Sequence, residues 1–133
     1  RSDVYFASLH GDPLEAFPHF LGHANEKGID DGEGFNLNYP MPPNTSYVQW
    51  KKSLNEVVSE IEYFNPNFLL ISLGVDTYEN DPISFFKLKS DDYFDVGRII
   101  SNLNLPTLFV MEGGYFIDEI GINTVNILKG FEE

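Results

Sequence analysis

Two apolar runs constrain this chain more than anything else in it: Leu70-Ile-Ser-Leu-Gly-Val-Asp76 and Leu108-Phe-Val-Met-Glu-Gly-Gly-Tyr115. Each is a short β-forming stretch that stops at glycine and then presents one functional group, a carboxylate or a phenol. Continuous apolar strands of this kind belong in a mostly parallel sheet with helices on both faces. In such an open α/β sheet, ligands sit outside the carboxyl ends of the strands, so Asp76 and Tyr115 are expected to face one crevice. A carboxylate able to bind metal beside a hydrogen-bonding phenol points to metal-assisted hydrolysis.

The rest of the chain supplies the remaining elements of one α/β unit spanning residues 1–133. Val4 to Leu9 reads as a buried strand, followed by an irregular stretch from His10 to Gly34 rich in glycine. Phe35 to Tyr39 alternates with period two and is expected to end at Pro40. Ser46-Tyr-Val-Gln49 has the form of a capping box. The helix it opens carries Leu54, Val57, Val58, Ile61 and Phe64 as its apolar stripe and stops at Asn65-Pro66. Phe68 to Leu73 is the next strand, and Ser90 is expected to cap a second helix. Thr107 to Met111 is the last strand. The helix after Tyr115 offers Ile120, Val125, Ile127, Leu128 and Phe131 to the core.

Composition removes several function classes. With 42% hydrophobic and 15% aromatic residues in 133, the chain is a packed domain rather than a disordered one. No cysteine is present, so disulfides and Cys-ligated zinc are excluded. No apolar stretch has membrane-spanning length and the start lacks signal-peptide features, so a cytoplasmic setting is expected. A net charge of −13 argues against nucleic acid as a partner. The same charge would steer a cationic substrate, or serve only as a solubilising surface.

Position alone leaves Asp76 open between a ligand or catalytic group and an N-cap for the loop that follows. Asp81-Pro82 reads as a turn. His19 and His23 have the spacing of a helical zinc pair, but Pro18 and the missing glutamate make that helix a poor prospect. Asp30-Asp-Gly-Glu-Gly34 reads as a solvated turn rather than a calcium loop. No phosphate-cradling glycine motif occurs.

Five stretches taken together resemble the carboxyl-terminal part of the histone deacetylase and acetylpolyamine amidohydrolase family: Ser8-Leu-His-Gly-Asp-Pro13, Ala16-Phe-Pro18, Gly32-Glu-Gly-Phe-Asn-Leu-Asn-Tyr-Pro40, Ser72-Leu-Gly-Val-Asp-Thr-Tyr-Glu-Asn-Asp-Pro82 and Glu112-Gly-Gly-Tyr115. The resemblance implies part of an arginase/deacetylase-like three-layer sandwich. It also implies a zinc-dependent (or other divalent-metal) amidohydrolase acting on acetylated amines, either acetyl-lysine or acetylpolyamine. By that resemblance Asp76 is a metal ligand and Tyr115 the catalytic phenol. Phe17, Gly113, Gly114 and Ile83 line the substrate channel, and Ser8 and Leu9 supply oxygens to a monovalent cation such as potassium. The family's Asp-x-His ligands and its histidine pair are absent from this sequence. The chain is therefore expected to be a fragment that holds no catalytic metal tightly and is inactive by itself. The competing expectation is a non-catalytic module that self-associates as a homodimer through an open sheet edge. A small-anion binding domain is a weaker third, disfavoured by the acidic charge.

Overall fold

In the computed structural model, which describes all 133 residues, every strand pairing is parallel. Strand β1 (Phe6–Gly11) lies beside β2 (Asn36–Met41), with Phe6 opposite Asn36 and Gly11 opposite Met41. Strand β4 (Leu69–Leu73) lies beside β6 (Thr107–Met111) in the register Leu69 to Thr107 through Leu73 to Met111. Two short strands, β3 (Thr45–Ser46) and β5 (Phe86–Lys87), form a third pair. The parallel α/β class is as expected, with the hydrogen bonds falling in three two-stranded ribbons.

Pro40 lies inside β2 rather than ending it. The bonds Phe6 N to Phe35 O and Asp12 N to Met41 O bracket the ladder, which sets the odd-numbered residues of β2 toward β1. The missing N–H of Pro40 therefore falls on the unpaired edge, where it costs no hydrogen bond. The pairing of His10 and Gly11 with Pro40 and Met41 also carries β1 two residues beyond its expected end.

Helix α1 (Tyr47–Phe64) begins as its sequence requires. The Ser46 hydroxyl accepts from Gln49 N, and the Gln49 side chain accepts from Ser46 N at 3.0 Å. It ends at Asn65, which takes left-handed φ of 54° and donates to Ile61 O. Its buried residues are Trp50, Leu54 and Val57. Phe64 instead joins Tyr5 and Phe35 in an aromatic cluster, with centroids 5.4 and 5.8 Å away.

Helix α2 (Asp92–Ser101) is not capped by Ser90. Its N-cap is Asp91, whose side chain makes no capping bond, and Asp92 in the first turn accepts from Lys89 N at 2.7 Å. Ser90 is drawn to helix α3 (Ile117–Glu132): its hydroxyl donates to Glu119 at 3.1 Å and its carbonyl accepts from Asn126 at 2.8 Å. The two helices meet through glycine. A Cβ on Gly97 would stand 2.1 Å from Ile127 O, and one on Gly130 would stand 1.9 Å from Phe94 O.

The core joins α1, α2 and α3 to the inner residues of the strands, with Leu73, Val75, Tyr93 and Ile127 among its members. Residues Leu69, Ile71 and Phe109 point into it, whereas Leu70, Leu108 and Val110 are exposed. One face of the β4–β6 ribbon is thus uncovered in this chain. Val125 and Leu128, expected in the core, are exposed on α3 as well. No helix is long and apolar enough to cross a membrane.

The glycine contact between α2 and α3 is open to a paired test. Gly130→Ala must displace backbone, and overpacking of this kind costs about 1–3 kcal/mol. Gly121→Ala, also in α3, meets nothing within 4 Å and should gain about 0.5–1 kcal/mol from helix propensity. Urea denaturation of both variants checks the opposite signs. Equal stability of the two would remove the close-packing account.

Candidate active site

The ladder between β4 and β6 continues past both strands. Glu112 N donates to Leu73 O at 2.9 Å and Val75 N donates to Gly113 O at 2.8 Å. These two bonds bring Asp76 against Gly113. A Cβ on Gly113 would lie 2.1 Å from Asp76 Oδ2, and one on Gly74 would lie 2.8 Å from Oδ1. The carboxylate therefore occupies the space that side chains would fill. Gly114, at φ of +148°, turns the chain with its α-carbon packed toward Val75, and Tyr115 follows.

No helix starts after Asp76, and the one backbone hydrogen bond at its carboxyl is its own, so it does not cap the loop that follows. Its carboxyl is half-buried, and burial pushes its pKa up. Its own backbone hydrogen bond opposes the shift, and the nearby Asp81 charge adds to it. Beneath the loop, the buried Tyr93 hydroxyl donates to Val75 O at 3.1 Å and shares a 2.8 Å hydrogen bond with Thr77 Oγ1. Burial also raises the Tyr93 phenol, so it remains a neutral donor at ordinary pH.

Asp81 does more than form a turn. It is only 7% exposed. Its Oδ1 accepts from Ile83 N at 3.1 Å, and its Oδ2 accepts from Tyr115 N at 2.7 Å and Phe116 N at 3.1 Å. One carboxylate thereby joins the 81–83 turn to the loop after β6. The side chains of Ile83 and Tyr115 remain 57% and 55% exposed.

Phe17 and Ser8 line a cavity of about 380 Å³ with His10, Gly22, Glu26 and Asn38. Phe17 is 89% exposed. His10 Nε2 sits 2.7 Å from Gly22 O, and because a carbonyl only accepts, this nitrogen carries the proton. In neutral His10, Nδ1 then accepts from the Ser8 hydroxyl at 2.7 Å, leaving the lone pairs of that oxygen free. Leu9 packs against the core. The structure thus gathers Asp76, Gly113, Gly114 and Tyr115, attaches Ile83 through Asp81, and sets Phe17 and Ser8 on the wall of the cavity that also holds His10. The two regions approach each other where the α-carbon of Gly11 packs on the Phe85 ring.

Sequence reasoning missed Tyr93 as a support, Asp81 as a bridge, and Glu26, which accepts from Gly22 N and Asn38. Asn38 carried no signal, because it alternates with Leu37 and Tyr39 as Asn36 does, and its burial follows only from the fold.

A catalytic zinc requires three protein ligands and an open position. Asp76 has the right chemistry, a part-buried carboxylate with no cationic partner, but no three metal-binding side chains gather anywhere in the chain. Asp81 is no second ligand, since its oxygens are committed to backbone donors. The residues present fit one ligand of such a site and not a complete one.

The sequence profile of the Histone deacetylase domain matches residues 1–131. The acetylpolyamine amidohydrolase of Mycoplana ramosa is 55% identical over 130 residues, which cover 98% of this chain and 38% of the relative. Acetylpolyamine amidohydrolase 2 of Pseudomonas aeruginosa is 50% identical over 132 residues, covering 99% and 38%. The crystal structure of acetylpolyamine aminohydrolase from Burkholderia pseudomallei superposes with a TM-score of 0.96 at 37% identity, covering 98% of this chain and 38% of that one. The chain therefore spans well under half the length of the curated relatives it matches.

The raised pKa of Asp76 fixes the sign of a pH effect. A carboxyl whose pKa is higher folded than unfolded supports the fold below the unfolded value and loses that support as pH rises through the folded value. Asp76→Asn should therefore gain stability relative to the parent as pH climbs from acid to neutral. Denaturant titrations of both proteins across that range check this, and a constant difference would contradict it.

Proposed function

Because the chain belongs to the histone deacetylase domain family, we propose that it forms one wall of a metal-dependent amidohydrolase site for acetylated amines. The carrying observation is the meeting of Asp76 with Gly113 at the ends of two parallel strands, with Tyr115 next along the chain. Acetylpolyamines are the favoured substrates. The 50–55% identical relatives bear that name, and a chain with net charge −13 attracts a substrate that keeps a free ammonium.

In this reading Asp76 contributes one carboxylate to a divalent ion, zinc by the chemistry of the family. When bound, such an ion activates water and polarises the acetyl carbonyl. Tyr115 donates its phenolic hydrogen to the carbonyl oxygen, a bond that strengthens as negative charge develops there. Gly113 and Gly114 keep this wall at backbone thickness, so the acyl group passes close to Asp76. Phe17 flanks the amine stem and Ile83 stands near the channel mouth. Ser8 and Leu9 supply oxygens to a monovalent cation that braces β1, a role compatible with the free lone pairs of the Ser8 hydroxyl.

The test is a chimera in which this chain replaces the matching segment of the Mycoplana ramosa relative. The chimera should hydrolyse an acetylpolyamine, whereas the 133-residue chain alone should not. Tyr115→Phe should lower kcat about 10²–10³-fold, the usual cost of one oxyanion donor, with metal content unchanged. Asp76→Ala should lose the metal. Full turnover by Tyr115→Phe, or by the isolated chain, would overturn the reading.

A second reading, a self-associating module, is favoured by the uncovered apolar residues Leu70, Leu108 and Val110. It requires the isolated chain to sediment as a dimer and Leu108→Lys to return it to monomer. A monomer at high micromolar concentration removes it.

A further inference from the structure

The Asp81 carboxylate is buried without a cationic partner. No lysine or arginine approaches it, and all of its hydrogen bonds come from backbone N–H groups. A buried carboxylate in that position depends on such donors, the shortest at 2.7 Å from Tyr115 N, and is costly to leave unpaired. Such an arrangement is more than a local turn needs. The turn is already closed by Asp81 N to Tyr78 O at 3.0 Å and Ser84 N to Asp81 O at 3.1 Å. The additional acceptor, Oδ2, is spent on residues 34 and 35 positions away.

The recipients of those bonds are informative. Gly114 takes a φ of +148°, open to glycine and strained for other residues, so the loop is set at an unusual angle directly before Tyr115. With Tyr115 N and Phe116 N both turned inward to one oxygen, the Tyr115 side chain leaves the loop on the solvent side, where it is 55% exposed. Phe116 packs near Tyr78, with centroids 5.7 Å apart, so the clamp is closed on its far side by the segment that leads into Asp81. The Tyr115 hydroxyl itself has no partner in the chain, so its placement depends on the backbone beneath it.

We propose that Asp81 is the positioning residue for Tyr115, fixing the phenol over the Asp76 wall by clamping the Tyr115 and Phe116 amides. This rests on the reading of Tyr115 as the catalytic phenol, and Asp81 itself touches no substrate. Asparagine keeps one acceptor oxygen and presents an amide group to the remaining donor, so Asp81→Asn should preserve part of the clamp. Asp81→Ala removes it.

Two measurements test the proposal. Hydrogen exchange of the 133-residue chain should speed up at the Tyr115 and Phe116 amides in Asp81→Ala by about 10-fold or more, with Asp81→Asn between. Unchanged exchange at both amides would overturn the clamp. In the chimera, Asp81→Ala should lower kcat about 10²-fold, the scale of a 1 Å misplacement, with KM and metal content nearly unchanged and partial rescue by asparagine. The double variant Asp81→Ala, Tyr115→Phe should be no slower than Tyr115→Phe alone, because a positioning residue has nothing left to position. Losses that multiply instead would show a general structural role and defeat the proposal. A silent Tyr115→Phe would defeat the functional reading of Tyr115, while the exchange data still decide the clamp.

Discussion

Everything at the candidate site depends on the parallel pairing of β4 with β6 and its continuation for two bonds beyond the strands. Parallel strands present their carboxyl ends at the same edge, so residues distant in sequence arrive side by side. The bonds Glu112 N to Leu73 O and Val75 N to Gly113 O carry that alignment into the loops. Without them Asp76 and Gly113 would have no reason to meet. Gly113 then allows the carboxylate into space that a Cβ would occupy at 2.1 Å. The Tyr93 hydroxyl secures the same loop from the core side by bonding Val75 O.

Two carboxylates share this small region and are treated in opposite ways. Asp81 receives backbone donors on both oxygens and is almost entirely enclosed. Asp76 is partly desolvated without any donor from another side chain, and burial pushes its pKa up. A fold gains nothing by desolvating a charge it does not neutralise. The asymmetry separates a carboxylate satisfied by backbone donors from one left without them, and groups with divergent environments of this kind are candidates for function.

Local signals in the sequence were readable because the physics that sets them is local. The Ser46 and Gln49 capping box, the stop at Asn65-Pro66 and the bounds of β6 needed nothing beyond neighbouring residues. The position of Asp76 and Tyr115 at the ends of paired strands was legible because glycine after an apolar run is itself a local pattern. Asp81 was half legible: its turn follows from the Asp-Pro pair, but its bonds to residues 115 and 116 exist only after β4 and β6 have paired. Ser90 failed as a cap for the same reason, since Glu119 and Asn126 compete for it from α3. Pro40 was misread because a strand with one neighbour uses only alternate N–H groups. The burial expected of Val125 and Leu128 supposed helical periodicity facing a covered sheet, and in this chain that side of α3 is open.

The bare ribbon face and the donor-poor Asp76 carboxylate are separate features, and geometry keeps them apart. Leu70, Leu108 and Val110 point perpendicular to the ribbon, whereas Asp76 and Gly113 stand at its carboxyl edge. Covering the face with apolar surface would bury those three side chains without bringing a donor nearer to Asp76. A second copy docked there would therefore satisfy the hydrophobic demand and leave the carboxylate as it is. Donors approach Asp76 from the carboxyl edge of the ribbon, where the ends of parallel strands face their ligands. The relatives are more than twice as long as the matched segment. Burying the face and supplying donors to Asp76 are thus two different demands, met from two different directions.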